Sequence, residues 1–210
     1  MDLAALIRDF ITLFVVIDPI GSVPIFIHAT RSAPADRHRA IAVRAVLVAG
    51  GVLMFFLVAG QLLLEGIGIS LASFRIAGGI VLFLFALSMI FGDSKPETEL
   101  AEADADDSMD KAVFPLAMPS IASPGAMLAV VALTDNDRFS VAQQAVTAGL
   151  LVGVLAITLA VLFAAVPLNR RLGSSGASVI SRVMGIILAA VAVDAVLRAL
   201  VDIGAPLSLG

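Results

Sequence analysis

The sequence predicts an all-α, polytopic membrane protein of six transmembrane helices. These are arranged as two inverted three-helix repeats, with helices one and four broken. Three observations carry that expectation. Apolar residues gather into six runs of roughly twenty, the length an α-helix needs to cross a hydrocarbon core about 30 Å thick. The first and fourth runs are interrupted by prolines at a similar depth. The third and sixth open on a shared Arg-x-x-Gly pattern, at Arg75–Gly78 and Arg182–Gly185.

Composition excludes the main alternative. Of the 210 residues, 60 % are hydrophobic and 14 % charged, whereas soluble domains sit nearer one half and one quarter. The net charge of −4 arises mostly in one short stretch, Asp93 to Asp110, and nothing in it suggests nucleic acid. With no cysteine in the chain, disulfides, thiol catalysis and thiolate metal sites are excluded. Tryptophan and tyrosine are also absent, so phenylalanine and arginine must serve at the interfaces, or the aromatic belt is dispensed with. No basic n-region with a small-residue cleavage site is present, so the first apolar segment is expected to stay in the mature protein.

The segments fall at about 6–27, 41–64, 67–91, 112–134, 143–166 and 178–201. Segment one carries Asp18, Pro19, Gly21, Ser22 and Pro24 inside its apolar run. Segment four carries Pro115, Pro119, Ser123, Pro124 and Gly125, and the other four have no interior proline. In segment five, Gly149 and Gly153 form a small-xxx-small pair suited to close helix approach. Basic residues set the orientation. Arg31, Arg37, Arg39 and Arg44, then Lys95 and Lys111, then Arg170 and Arg171 mark three loops on one side. The other side holds Arg8, Arg75, Arg138 and Arg198. The first side should be cytoplasmic, with both termini on the opposite, non-cytoplasmic face of a multi-pass plasma (inner) membrane protein.

Residues 1–92 form a first repeat, 93–111 an acidic cytoplasmic linker read as solvated, and 112–210 a second repeat. Phe74–Ile80 and Ser181–Ile187 match in register at an offset of 107 (182 − 75). From the mid-helix proline to the arginine the spacing is 56 in the first half (75 − 19) and 58 in the second (182 − 124). A repeat of three crossings must re-enter from the opposite face. Inverted repeats with discontinuous helices point to a transporter whose site lies at the repeat interface.

Proline in a helix interior removes an N–H and crowds the carbonyl four residues earlier. Pro19, Pro24, Pro119 and Pro124 are therefore candidate breaks, with the carbonyls of Val15, Ile20 and Ser120 freed by the first, second and last. Such backbone is tolerated only inside protein or along a watery cavity. Half-helix N-termini suit a carboxylate, and freed carbonyls suit an ammonium or small cation, so together they match a zwitterion. Asp18 is the acid nearest a segment's middle. It either meets a cation, proton or ammonium, or caps the half-helix that begins at Pro19. The candidate binding set is Asp18, Gly21, Ser22, Ser120, Ser123 and Gly125, supported by Arg75, Gly78, Gly79, Arg182 and Gly185. Arg75 and Arg182 either snorkel to an interface or pack against the broken helices and satisfy their carbonyls. Asp194, Arg198 and Asp202, four apart, can pair along one helix face. His28 and His38 lack partners at metal spacing.

With those motifs assembled, the chain resembles the MarC family of six-helix integral membrane proteins over nearly its whole length. The resemblance rests on Asp18–Phe26 (DPIGSVPIF), Phe74–Ile80 (FRIAGGI) and Pro115–Gly125 (PLAMPSIASPG). The family usually has asparagine where this chain has Ser22, and glycine where it has Ser123. The resemblance implies a relative of small neutral amino acid transporters, with glycine and alanine as natural substrates and a bacterial or archaeal plasma membrane as its place. A secondary transporter or exporter working by alternating access is thus the leading expectation, with proton or sodium coupling. No other cofactor, catalytic residue or metal is expected, and the partners are membrane lipid and a small zwitterion, with oligomers allowed. A channel is the runner-up, because broken helices also line pores. A membrane-embedded enzyme ranks third. The chain has no Gly-x-Gly-Asp or Gly-x-Ser-x-Gly motif, and Asp18 has no second midplane acid to form a dyad.

Overall fold

A computed structural model describes residues 3–31, 33–91, 113–136 and 139–204. The acidic linker and its lysines lie outside the described residues. Within these ranges the chain is helical throughout: α1 (Leu3–Ile17), α2 (Ser22–Ala29), α3 (His38–Gly66), α4 (Leu71–Phe91), α5 (Val113–Ile121), α6 (Pro124–Leu133), α7 (Val141–Phe163) and α8 (Ala165–Asp202). Among the described residues, five helical stretches are long and apolar enough to cross a membrane: Leu3–Ala29, His38–Gly66, Leu71–Phe91, Val141–Phe163 and Arg182–Asp202. The fourth predicted segment is divided between α5, nine residues of π-type turns, and α6, ten residues of α-helix. Pro115 and Pro119 withhold two N–H groups from α5, and wide π-type turns occur mostly at such interruptions.

Each start and stop has a local cause. Ser140 and Gln143 form a reciprocal capping box at the head of α7, and Ser123 caps α6 with Pro124 in the first turn. Gly68, at φ 72°, takes the left-handed turn between α3 and α4. The expected loop at Arg170 and Arg171 is instead the start of α8, which runs without interruption from Ala165. Pro167 falls in its first turn, where N–H groups have no intrahelical partner to lose, and no later proline stops the helix. Pro24 likewise sits in the first turn of α2 rather than breaking it, and the Ile20 carbonyl accepts the Val23 N–H at 3.1 Å.

Large apolar side chains such as Val58 (76 % exposed), Leu47 and Leu84 face outward from the long helices, as a lipid-facing surface requires. The interior is centred on the end of α1 and the α5–α6 junction. There Leu13, Ile17, Ile121, Ala122 and Ala126 are completely enclosed.

Helices α4 and α8 run antiparallel in close contact. A Cβ added at Gly79 would lie 3.0 Å from the Ala192 carbonyl oxygen, and one at Gly185 would lie 3.0 Å from that of Ala86. The two contacts are related by a shift of 106 residues (185 − 79 and 192 − 86), one fewer than the offset that aligns Arg75 with Arg182. Gly79, not Gly78, is therefore the structural counterpart of Gly185. Gly78 is pressed by the Leu128 side chain of α6, whose nearest atom would be 2.6 Å from its Cβ. Among the described residues nothing lies within 4 Å of a Cβ at Gly149 or Gly153, so that pair mediates no close approach among them. Gly79→Ala should lower stability by about 1–3 kcal/mol, because backbone must shift to admit the methyl. Gly149→Ala should instead raise it by about 0.5–1 kcal/mol, the helix-propensity gain. Thermal unfolding of both variants in detergent checks the opposite signs.

Candidate functional site

The first break spans Asp18 to Gly21. The last helical bond of α1 runs from the Asp18 N–H to the Phe14 carbonyl at 3.0 Å, and Pro19 has no N–H to continue it. Asp18 adopts φ 50°, a left-handed conformation that aspartate tolerates better than most side chains. The Gly21 N–H donates to Asp18 Oδ1 at 2.9 Å, and the Asp18 carbonyl accepts both the N–H and the hydroxyl of Ser22, each at 3.1 Å. The carboxylate, 1 % exposed, thus takes the N–H immediately ahead of α2. Gly21 leaves room for it, since a Cβ there would stand 2.6 Å from the carboxylate carbon.

The second break lies between α5 and α6. The Ala122 N–H closes the last wide turn onto the Ala117 carbonyl at 2.9 Å. Ser123 is extended, and its hydroxyl accepts the Ala126 N–H at 3.1 Å. That hydroxyl also donates to the Val16 carbonyl of α1 at 3.3 Å. The Ser22 and Ser120 hydroxyls meet at 3.2 Å. The breaks are therefore bonded to one another, with Ser22, Ser120 and Ser123 no more than 2 % exposed. Gly125, in the first turn of α6, lies beneath Leu82 of α4, whose Cγ would be 3.3 Å from a Cβ there.

Arg75 is 7 % exposed. Its Nη2 donates to Asp135 Oδ2 at 3.0 Å and to the Ala132 carbonyl at 3.4 Å, and Nη1 donates to Asp202 Oδ2 at 3.1 Å. One guanidinium thus ties the head of α4 to the end of α6 and the end of α8. Asp202 accordingly bonds to Arg75, while Arg198 Nε bonds to Asp194 at 2.7 Å. Arg182 occupies the related place in α8 but is exposed.

Sequence reasoning passed over Asp135 and Asp9, both buried. The signal for Asp135 was available, as the acid nearest the end of a broken helix and facing an arginine-headed one. A cavity of about 260 Å³ opens between α1, α4, α6 and α8. Asp9, Thr12, Arg75 and Arg198 give it polar walls, and Leu82 and Leu128 lie on its apolar side. The break residues do not line it. Among the described residues, no group of three or more His, Asp or Glu is placed to hold a metal ion.

The sequence profile of MarC family integral membrane proteins matches residues 3–203. The chain belongs to the MarC family. Relatives in that family extend across bacteria and archaea. A UPF0056 membrane protein of Archaeoglobus fulgidus is 34 % identical over 92 % of this chain and 91 % of its own length. YvbG of Bacillus subtilis is 34 % identical over 90 % of each, and YhcE of Escherichia coli 32 % over 92 % and 90 %. Their names describe membrane proteins and specify no substrate or enzymatic reaction. No solved structure matches this MarC protein.

Removing one partner from a buried ion pair leaves an uncompensated charge, at a cost of about 3–5 kcal/mol. Arg75→Met, which takes the guanidinium from between Asp135 and Asp202, should therefore lose stability on that scale, whereas Arg182→Met should change it by less than about 0.5 kcal/mol. Thermal melts of the two purified variants check the contrast.

Proposed function

We propose that this MarC protein is a secondary transporter or exporter of small neutral amino acids, glycine and alanine foremost, working by alternating access. The observation that carries the reading is the contact between the two helix breaks at the centre of the molecule, with Ser22 and Ser120 3.2 Å apart. Interrupted helices facing each other in a protein interior are how membrane transporters present backbone charge to a small solute. The binding set is Asp18, Gly21, Ser22, Ser120, Ser123 and Gly125. Carboxylate, hydroxyls and backbone ends can hold both charges of a zwitterion without a net-charged pocket, which would be costly at midplane. No tyrosine or tryptophan exists to stack a large ring, in keeping with a compact substrate.

Two further observations support six crossings in inverted repeats. Residues 113–133 cover 21 positions, about 30 Å at helical rise, so α5 and α6 together suffice for one crossing. The reciprocal glycine contacts of α4 and α8 are those expected of two related helices about a two-fold axis. The heads of α1 and α4 and the ends of α6 and α8 gather around the Arg75 cavity. We assign that face to the outside of a plasma membrane, with both termini there, because the Arg31–Arg44 cluster marks the opposite one. Proton or sodium coupling completes the proposal, with Asp18 as the group that senses the ion.

Proteoliposomes preloaded with unlabelled alanine should accelerate entry of labelled alanine, and leucine and lysine should compete poorly. Asp18→Asn retains an oxygen for the Gly21 N–H, so it should insert and fold while losing transport or its ion dependence. Conductance without saturation would assign a channel instead, and no flux or binding for any amino acid would refute the proposal.

A further inference from the structure

Asp9 has no role in the site just described, yet it is the feature that most needs a partner. It lies in the second turn of an apolar span, 4 % exposed, and lines the cavity between α1, α4, α6 and α8. Its nearest opposite charge among the described residues is Arg8 Nε at 3.8 Å, on a side chain 68 % exposed. A carboxylate in a membrane segment is costly unless a cation or donors meet it. The other groups that face the cavity differ in their availability. Arg75 is occupied by Asp135 and Asp202, and the Asp194 carboxylate by Arg198. Arg198 uses its Nε in that pair and is 59 % exposed, so the outer nitrogens of its fork remain for a ligand. The cavity therefore presents a buried anion within and guanidinium groups at its rim.

Its inner limit is as informative. Leu82 lines the cavity and also covers Gly125 at the head of α6. From Arg75 to Leu82 is seven residues, about 10 Å along α4. The cavity thus reaches from the Arg75 face to the side chain that closes over the second break.

We propose that this cavity is an entry site for a small zwitterion, with Asp9 holding the ammonium, Arg8 and Arg198 meeting the carboxylate, and Leu82 separating it from the breaks. The ligand assignment rests on the transporter reading, and the two can fail separately.

The chain has no cysteine, so Thr12→Cys, on the cavity wall, reports occupancy cleanly. In the full chain in lipid nanodiscs, alanine should slow modification of this cysteine by a methanethiosulfonate reagent at least fivefold. Propylamine and propionate, each lacking one charge, should require at least tenfold higher concentrations. Asp9→Asn should abolish protection and Asp9→Glu preserve it. Arg8→Gln, an exposed change that spares the fold, should shift half-protection to about three- to tenfold higher alanine. Absence of protection by alanine, or equal protection by propionate, would overturn the site. Counterflow measured on the same preparations separates the two ideas. Counterflow without protection removes the entry site alone, whereas Asp9-dependent protection without counterflow upholds the site and removes the transporter reading.

Discussion

A helix that stops inside a bilayer leaves N–H and C=O groups that no water is there to receive. In this protein that constraint falls at two places, and each helps to resolve the other. Asp18 and Ser123 each take up an N–H at the head of the helix that follows. Ser123 also reaches back to the Val16 carbonyl, where α1 gives out. The Ser22–Ser120 contact closes the gap between the breaks. Most of the remaining architecture follows from holding these two interruptions together: α1 against α6 and α7, and α3 against α5 and α6.

The hydroxyls that join the breaks are those of Ser22, Ser120 and Ser123. Either bond can be exchanged at small net cost, since a neutral hydrogen bond contributes only about 1 kcal/mol in balance with alternatives. A solute offering an ammonium and a carboxylate supplies just such alternatives. The ion network around Arg75 is of a different kind, with one buried guanidinium shared by two carboxylates and a carbonyl. It fastens one end of the molecule.

Much of this was legible in the sequence, for identifiable reasons. Run length and proline placement depend on local physics, so five of the six expected spans and the interruption at Asp18–Gly21 could be read directly. Pro24 and Arg170–Arg171 were misread, because proline in a first turn is indistinguishable in sequence from proline in an interior until the helix start is known. The register of α4 against α8 was off by one residue, since arginine matching follows the interface and glycine contact follows packing. Asp9 and Asp135 were missed because acids near segment ends read as solvated. Only tertiary packing encloses them.

The central claim is that the two breaks meet at a site which must open for transport. A Ser22→Cys/Ser120→Cys double variant tests it most directly, the parent chain having no other thiol. Oxidation should join the two cysteines, abolish alanine counterflow in proteoliposomes, and be reversed by reductant, while each single variant is indifferent to oxidation. Counterflow that persists through complete cross-linking would contradict the account.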